Sequence, residues 1–166
     1  MKKTSVYDSF PRPIVALRSS LLVGLLGVSV AMVTAQSVWG GLLYLLYVVA
    51  VIGFQMRIAC SRCDYHGATC DLGISVLTRA FVKKKTDRGA FTPAAVRCLL
   101  PLVALLLVPM GVGIATIVLE RSVLQGVLLG ILVFIIVMFG ITSKTMTCPR
   151  CRMRDICPLG KSIAES

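Results

Sequence analysis

Four long apolar runs constrain this chain more than any other feature of its sequence. They cover residues 14–35, 38–56, 94–119 and 122–142. A helix needs about 20 apolar residues to cross a bilayer, and each run has about that length. Hydrophobic residues make up 57% of the chain, more than in an average soluble domain. We therefore predict an all-α membrane protein with four transmembrane helices.

Two of the runs carry residues that a spanning helix must accommodate. Arg18 lies in the first turn of the first run, and we expect its long stem to snorkel to the lipid headgroups. The third run contains Pro101 and Pro109, so we expect a kink and neighbouring groups that satisfy the freed carbonyls. No cleavage site follows the first run, so we expect it to be a retained helix and not a signal peptide.

Short polar turns at 34–37 and 120–121 join the runs into two antiparallel pairs. The chain has 18 Lys+Arg against 7 Asp+Glu. Nearly all the basic residues lie on one predicted side of the bilayer, and only Arg121 lies on the other. The positive-inside rule then predicts a multi-pass cell-membrane protein with both termini in the cytoplasm. Since topology explains the basic excess and no nucleic-acid-binding module is visible, we expect no nucleic-acid partner.

A cysteine motif follows each pair of runs. Each motif reads C-x2-C, then a third cysteine a few residues later, then x-Leu-Gly. The cysteines are Cys60, Cys63 and Cys70 in the first motif and Cys148, Cys151 and Cys157 in the second. Helix, turn, helix and cysteine hairpin thus occur twice in the same order. This order predicts two parallel helical-hairpin repeats, 1–92 and 93–166, each with a cytoplasmic cysteine cluster, at 60–73 and 148–160.

A cytoplasmic location favours metal binding or redox chemistry over disulfides, because that compartment keeps thiols reduced. A C-x2-C turn directs two thiolates at one ion, and a third cysteine supplies most of a tetrahedral zinc site. His66, between Cys63 and Cys70, could complete a Cys3His set. The second motif has no histidine, so His66 could equally be an ordinary polar loop residue. Asp155 is the nearby hard ligand of the second motif.

Zinc is the metal that these motifs favour, and an iron–sulfur cluster is the alternative. Cys157-Pro158 is similar to the Cys-Pro ending of ferredoxin motifs, but the spacing before it does not fit. Three cysteines are also one short of the usual four unless the two clusters share a site. Free redox-active or metal-trafficking thiols are a third interpretation. Cys98, in the third run, fits a small apolar core residue.

The segment 74–85 combines apolar residues at helical spacing with basic residues. Ile74, Leu77 and Phe81 lie at i, i+3 and i+7, and Lys83–Lys85 follow. This pattern predicts a short amphipathic helix on the membrane surface. A solvated connector whose lysines only set the topology would explain the same residues.

The first motif resembles one found in small uncharacterised prokaryotic membrane proteins. The pattern is C-x2-C-x-Y-x-G-x2-C-x2-G from Cys60 to Gly73, followed by Phe81 and Lys83–Lys85. The resemblance covers Cys60 to Lys85, and the second motif lacks the tyrosine and the first glycine. It implies a fold type and no reaction.

The leading function is a metal-binding membrane protein that acts as a structural or partner-binding component. Its expected partners are the lipid bilayer and another membrane or cytoplasmic protein. No nucleophile–base pair, paired carboxylates or phosphate-binding glycine loop is visible, so we expect neither an enzyme nor catalytic residues. The alternatives are an iron–sulfur electron-transfer subunit and a metal or thiol transporter. Against transport, the spanning cores contain no Asp, Glu or His.

Overall fold

The structure, a computed structural model, describes residues 6–85 and 91–157, without the side chain of Glu120. Over these residues the chain forms five α-helices and no strand. The helices are α1 (Arg12–Thr34), α2 (Val38–Ile58), α3 (Ile74–Phe81), α4 (Phe91–Glu120) and α5 (Val123–Thr142). All except α3 are long and apolar enough to cross a membrane, which confirms the four predicted spans. The last predicted residues of the second cluster, 158–160, lie outside the described residues.

Two of the spanning helices begin earlier than the apolar runs indicate. α1 begins at Arg12 and α4 at Phe91, so Pro13 and Pro93 both lie in a first helical turn. Backbone N–H groups in a first turn have no intrahelical acceptor. A proline there loses no hydrogen bond, and its fixed φ suits the helix.

The four long helices pack into a bundle in which α1 contacts α2, α4 and α5. α2 also contacts α4, and α4 contacts α5. Two buried clusters hold the bundle together, Val33, Tyr44, Val48, Val51 and Leu105 in one and Leu25, Met32 and Leu132 in the other. Many leucine and valine side chains on the outer faces stay exposed. Such an apolar exterior fits helices that face lipid.

Pro109, inside α4, is accommodated by a tyrosine of α2. Pro109 has no N–H, so the carbonyl of Leu105 loses its helical donor. The Tyr44 hydroxyl donates to that carbonyl at 2.6 Å. The Tyr47 hydroxyl donates to the carbonyl of Pro101 at 3.1 Å. The predicted rescue of a freed carbonyl is therefore confirmed at Leu105, and it ties α2 to α4.

Both cysteine motifs lie at the end of the bundle where α1 and α4 begin. The backbone N–H of Phe10 donates to the Thr69 carbonyl at 3.0 Å, just before α1. The Thr92 hydroxyl, in the first turn of α4, donates to the Ile156 carbonyl at 2.8 Å. We call 60–73 the first cysteine segment and 148–157 the second cysteine segment. The cap is the set of residues 6–11, 60–85 and 143–157.

Candidate thiol site in the cap

The two Cys-x-x-Cys sequences form the same backbone turn. Each begins with a short 3₁₀ turn, at Cys60–Arg62 and at Cys148–Arg150. The N–H of Cys63 donates to the Cys60 carbonyl at 3.3 Å, and that of Cys151 donates to the Cys148 carbonyl at 3.4 Å. The backbone angles of the second cysteine also agree, with φ −77° and ψ 143° at Cys63 against φ −80° and ψ 136° at Cys151.

The likeness continues two residues after each turn. Tyr65 follows Cys63 and Met153 follows Cys151, and both side chains are 2% exposed. Burial raises the pKa of Cys63 to about 12, and a backbone hydrogen bond from Tyr65 acts against this rise. Burial likewise raises the pKa of Cys151 to about 11, against a backbone hydrogen bond from Met153. Each turn therefore aims a backbone N–H at its second sulfur, an arrangement that favours a thiolate.

The two cysteine segments also affect each other electrostatically. After burial and the Tyr65 hydrogen bond, the next influence on the Cys63 pKa is the nearby Cys151, which raises it. Asp71 of the first segment raises the pKa of Cys151, as do Cys157 and Cys148. The thiols of the two segments therefore share one region of the cap.

The thiols of the first segment converge on a single cavity. Cys60, Cys63 and Cys70 line a cavity of about 170 Å³ together with Asp71. Each of the three thiols is partly buried. Asp71 was not among the predicted site residues, although it directly follows Cys70 in the sequence.

His66 takes part in a different contact. Its Nε2 lies 2.9 Å from the carbonyl oxygen of Val82, just after α3. This pairing, with Nε2–H as donor, fixes the end of α3 against the first segment. His66 is not among the residues that line the thiol cavity.

All seven cysteines are free thiols. Cys98 is buried in α4, as a small core residue would be. Among residues 6–85 and 91–157, no group of three or more His, Cys, Asp or Glu side chains is arranged so that it could hold a metal ion. The site is therefore a set of neighbouring free thiols on two matching turns.

Arg18 joins the membrane helices to both cysteine segments. Its Nη1 donates to the Thr147 hydroxyl at 2.9 Å, and its Nε lies 3.3 Å from Asp71 Oδ2. The guanidinium carbon lies 4.3 Å from the centre of the Phe139 ring in α5. The residue is 3% exposed, so the prediction that it snorkels to the headgroups is wrong. The Asp71 carboxylate, the Thr147 hydroxyl and the Phe139 ring offset the cost of burying the guanidinium charge.

The arm before α1 binds both segments through Tyr65. The Tyr65 hydroxyl donates to the Tyr7 carbonyl at 2.9 Å and accepts from the Arg152 N–H at 3.1 Å. Arg150 donates from Nη1 to the Tyr7 hydroxyl at 2.9 Å, and Phe10 packs its ring 5.4 Å from the Tyr65 ring. One tyrosine thus connects the first segment, the second segment and the arm.

No protein-family model, curated protein or solved structure matches this chain. The inferences that follow therefore rest on the residues of the chain itself.

Proposed function

We propose that this chain is an integral membrane protein whose cap is a cytoplasmic thiolate module for zinc. In this proposal the chain consists of two parallel helical-hairpin repeats, and each repeat ends in a cysteine hairpin. The zinc is structural and shapes the cap for a partner protein in or beside the membrane. Sidedness follows from the positive-inside rule, since Arg57, Arg79 and Lys144 all belong to the capped end.

The observation that carries the proposal is the matching pair of turns. Two segments far apart in the sequence place a C-x2-C pair on the same 3₁₀ turn. Each also places a backbone N–H on the second sulfur, from Tyr65 and from Met153. Two thiolates from one tight turn are the usual half of a structural zinc site. Backbone donors reduce the cost of their negative charge.

Metal binding would have to draw the thiols together into one set of ligands. The described thiols are neighbours but do not form a ready set of three ligands. Cys63 and Cys151 are also protonated at neutral pH, since burial raises their pKa values to about 12 and about 11. A divalent ion lowers thiol pKa values and draws ligands together, so its binding releases protons and adds folding free energy. We propose that the cap tightens around zinc in this way.

Either of two ligand sets would serve such a site. Each segment could hold its own ion, with Cys60, Cys63 and Cys70 in the first and Cys148, Cys151 and Cys157 in the second. Alternatively both segments could contribute to one shared centre, which the influence of Cys151 on Cys63 supports. His66 would have to give up its contact with Val82 if its Nε2 were to become a ligand.

The experiment compares single cysteine variants of the full chain, purified in detergent without oxygen. We expect Cys60→Ser and Cys148→Ser each to reduce bound zinc, measured by mass spectrometry of the metal, and to speed cleavage of the cap by protease. Cys98→Ser is the comparison at the thiol of α4, which belongs to neither segment, although after burial and Cys70 it is a smaller influence that raises the pKa of Cys60. If all three variants keep the zinc content of the wild type, the proposed ligands are wrong.

The same variants test whether the module is shared. If Cys148→Ser halves the zinc content and leaves the protease pattern of the first segment unchanged, each segment holds its own ion. If it removes nearly all the zinc, the two segments form one centre.

A further inference from the structure

α3 has its polar side turned inward and its apolar side turned outward. Ser75 and Thr78 are fully buried against the first cysteine segment, where the Ser75 hydroxyl donates to the Ala68 carbonyl. Leu77 is 55% exposed and Phe81 is 74% exposed. In a helix surrounded by water this arrangement would be unfavourable, since exposed apolar area is costly. The outer face of α3 therefore fits an apolar surrounding.

The beginning of α3 lies at the depth of the spanning helices. Leu72 and Ile74 line an apolar cavity of about 300 Å³ together with side chains of α1, α2, α4 and α5. The Ser19 hydroxyl, within α1, donates to the Leu72 carbonyl at 3.0 Å. α3 thus starts against the membrane helices and not above them in the solvent.

The basic residues after α3 are held in place by the first cysteine segment. The Val82 carbonyl contacts His66, and the N–H of Lys85 donates to the Ser61 carbonyl at 2.8 Å. Lys83, Lys84 and Lys85 are all exposed. The backbone from Val82 to Lys85 is therefore held at both ends, and it presents three ammonium groups beside the apolar face of α3.

We propose that α3 and Lys83–Lys85 form a binding surface for anionic lipid headgroups of the surrounding bilayer. Leu77 and Phe81 enter the boundary between headgroups and acyl chains, where apolar faces of surface helices bind. The three lysines then lie at the level of the lipid phosphates. Basic residues next to a membrane favour anionic over zwitterionic lipids, by about fivefold for each lysine at about 1 kcal/mol.

The headgroup preference is tested on the full chain in nanodiscs that contain phosphatidylcholine and phosphatidylglycerol. Lipids that stay bound after release from the nanodisc are identified by native mass spectrometry. We expect the wild type to bind phosphatidylglycerol in preference to phosphatidylcholine. In the Lys83→Gln/Lys84→Gln/Lys85→Gln variant this enrichment should fall by about tenfold or more. The matched control replaces the same three lysines with arginine, which keeps the charge and should keep the enrichment. Equal enrichment in the glutamine and wild-type proteins would overturn the proposal.

The depth of α3 is tested with a single tryptophan. Trp39 is the only tryptophan, so Trp39→Phe gives a background in which Phe81→Trp reports on α3 alone. We expect lipids brominated on their acyl chains to quench this fluorescence. Quenching only by a water-soluble quencher would show that α3 is a solvated connector. The proposal does not involve the thiols, so an unchanged zinc content in every lysine variant distinguishes its failure from failure of the metal module.

Discussion

Replacing Arg18 with methionine keeps an apolar stem of similar length and removes the buried charge. The change leaves Asp71 without a cation 3.3 Å away and Thr147 without its donor. Removing one partner of a buried ion pair costs about 3–5 kcal/mol. The Asp71 side chain is 24% exposed, so water replaces part of the lost interaction. We therefore expect a loss at the lower end, about 3 kcal/mol, which is more than a hundredfold in the folding equilibrium.

The assay is reversible unfolding of the chain by sodium dodecyl sulfate in mixed micelles with a metal chelator, followed by circular dichroism. Arg57→Met is the matched control, since Arg57 is exposed and should change the free energy of unfolding by less than about 0.5 kcal/mol. A double-mutant cycle with Asp71→Asn should give a coupling energy above about 1 kcal/mol. If Arg18→Met lowers the free energy of unfolding no more than Arg57→Met does, Arg18 does not join the bundle to the cap. The same follows if the effects of Arg18→Met and Asp71→Asn simply add, so that the coupling energy is zero.

Four further predictions concern the cap and the topology. Tyr65→Phe removes a hydroxyl that bonds to Tyr7 and Arg152, so we expect a loss of about 1–3 kcal/mol and faster proteolysis of the N-terminal arm, and an unchanged cleavage rate would contradict this. Burial raises the pKa of Cys63 from 9.0 to about 12, so alkylation of the metal-free protein at pH 8 should be about a thousandfold slower at Cys63 than at an ordinary thiol, as followed by peptide mass spectrometry. Because the pKa of Cys63 is raised in the folded state, the stability that its protonated thiol contributes is complete below pH 9.0 and is lost as the pH rises towards about 12. A melting temperature that does not change over this pH range, as followed by circular dichroism, would contradict this prediction. Reporter fusions after Ser166 and within 34–37 should report opposite sides of the membrane, whereas equal signals from both would exclude four spans.

The spanning helices could be predicted from the sequence because hydropathy depends on composition along one stretch of chain. The limits differ by only a few residues, as where α1 starts at Arg12 and α4 at Phe91. Those differences come from prolines that fit a first helical turn. The apolar spacing over 74–85 likewise indicated a helix as one of two interpretations, and α3 forms over Ile74–Phe81. Hydropathy and residue spacing along the chain therefore account for the helices and for the position of each C-x2-C turn.

The contacts that assemble the cap could not be predicted in this way. Arg18 and Thr147 are 129 positions apart, and Tyr65 and Arg152 are 87 apart. No local period links such residues, and an arginine near a helix end fits snorkelling as well as burial. Asp71 likewise has no distinguishing mark in the sequence except that it follows Cys70. These contacts depend on how the two pairs of helices pack, which a single sequence does not specify.

The proposed metal module is tested most directly by metal analysis and a visible absorption spectrum of the full chain purified without oxygen. Zinc is redox-silent and colourless, whereas iron–sulfur centres absorb visible light and can be reduced. We predict a colourless protein that contains about one to two zinc ions per chain, as two thiolate sets would hold. A protein without bound metal, or a brown protein that contains iron and sulfide and bleaches with dithionite, would contradict it.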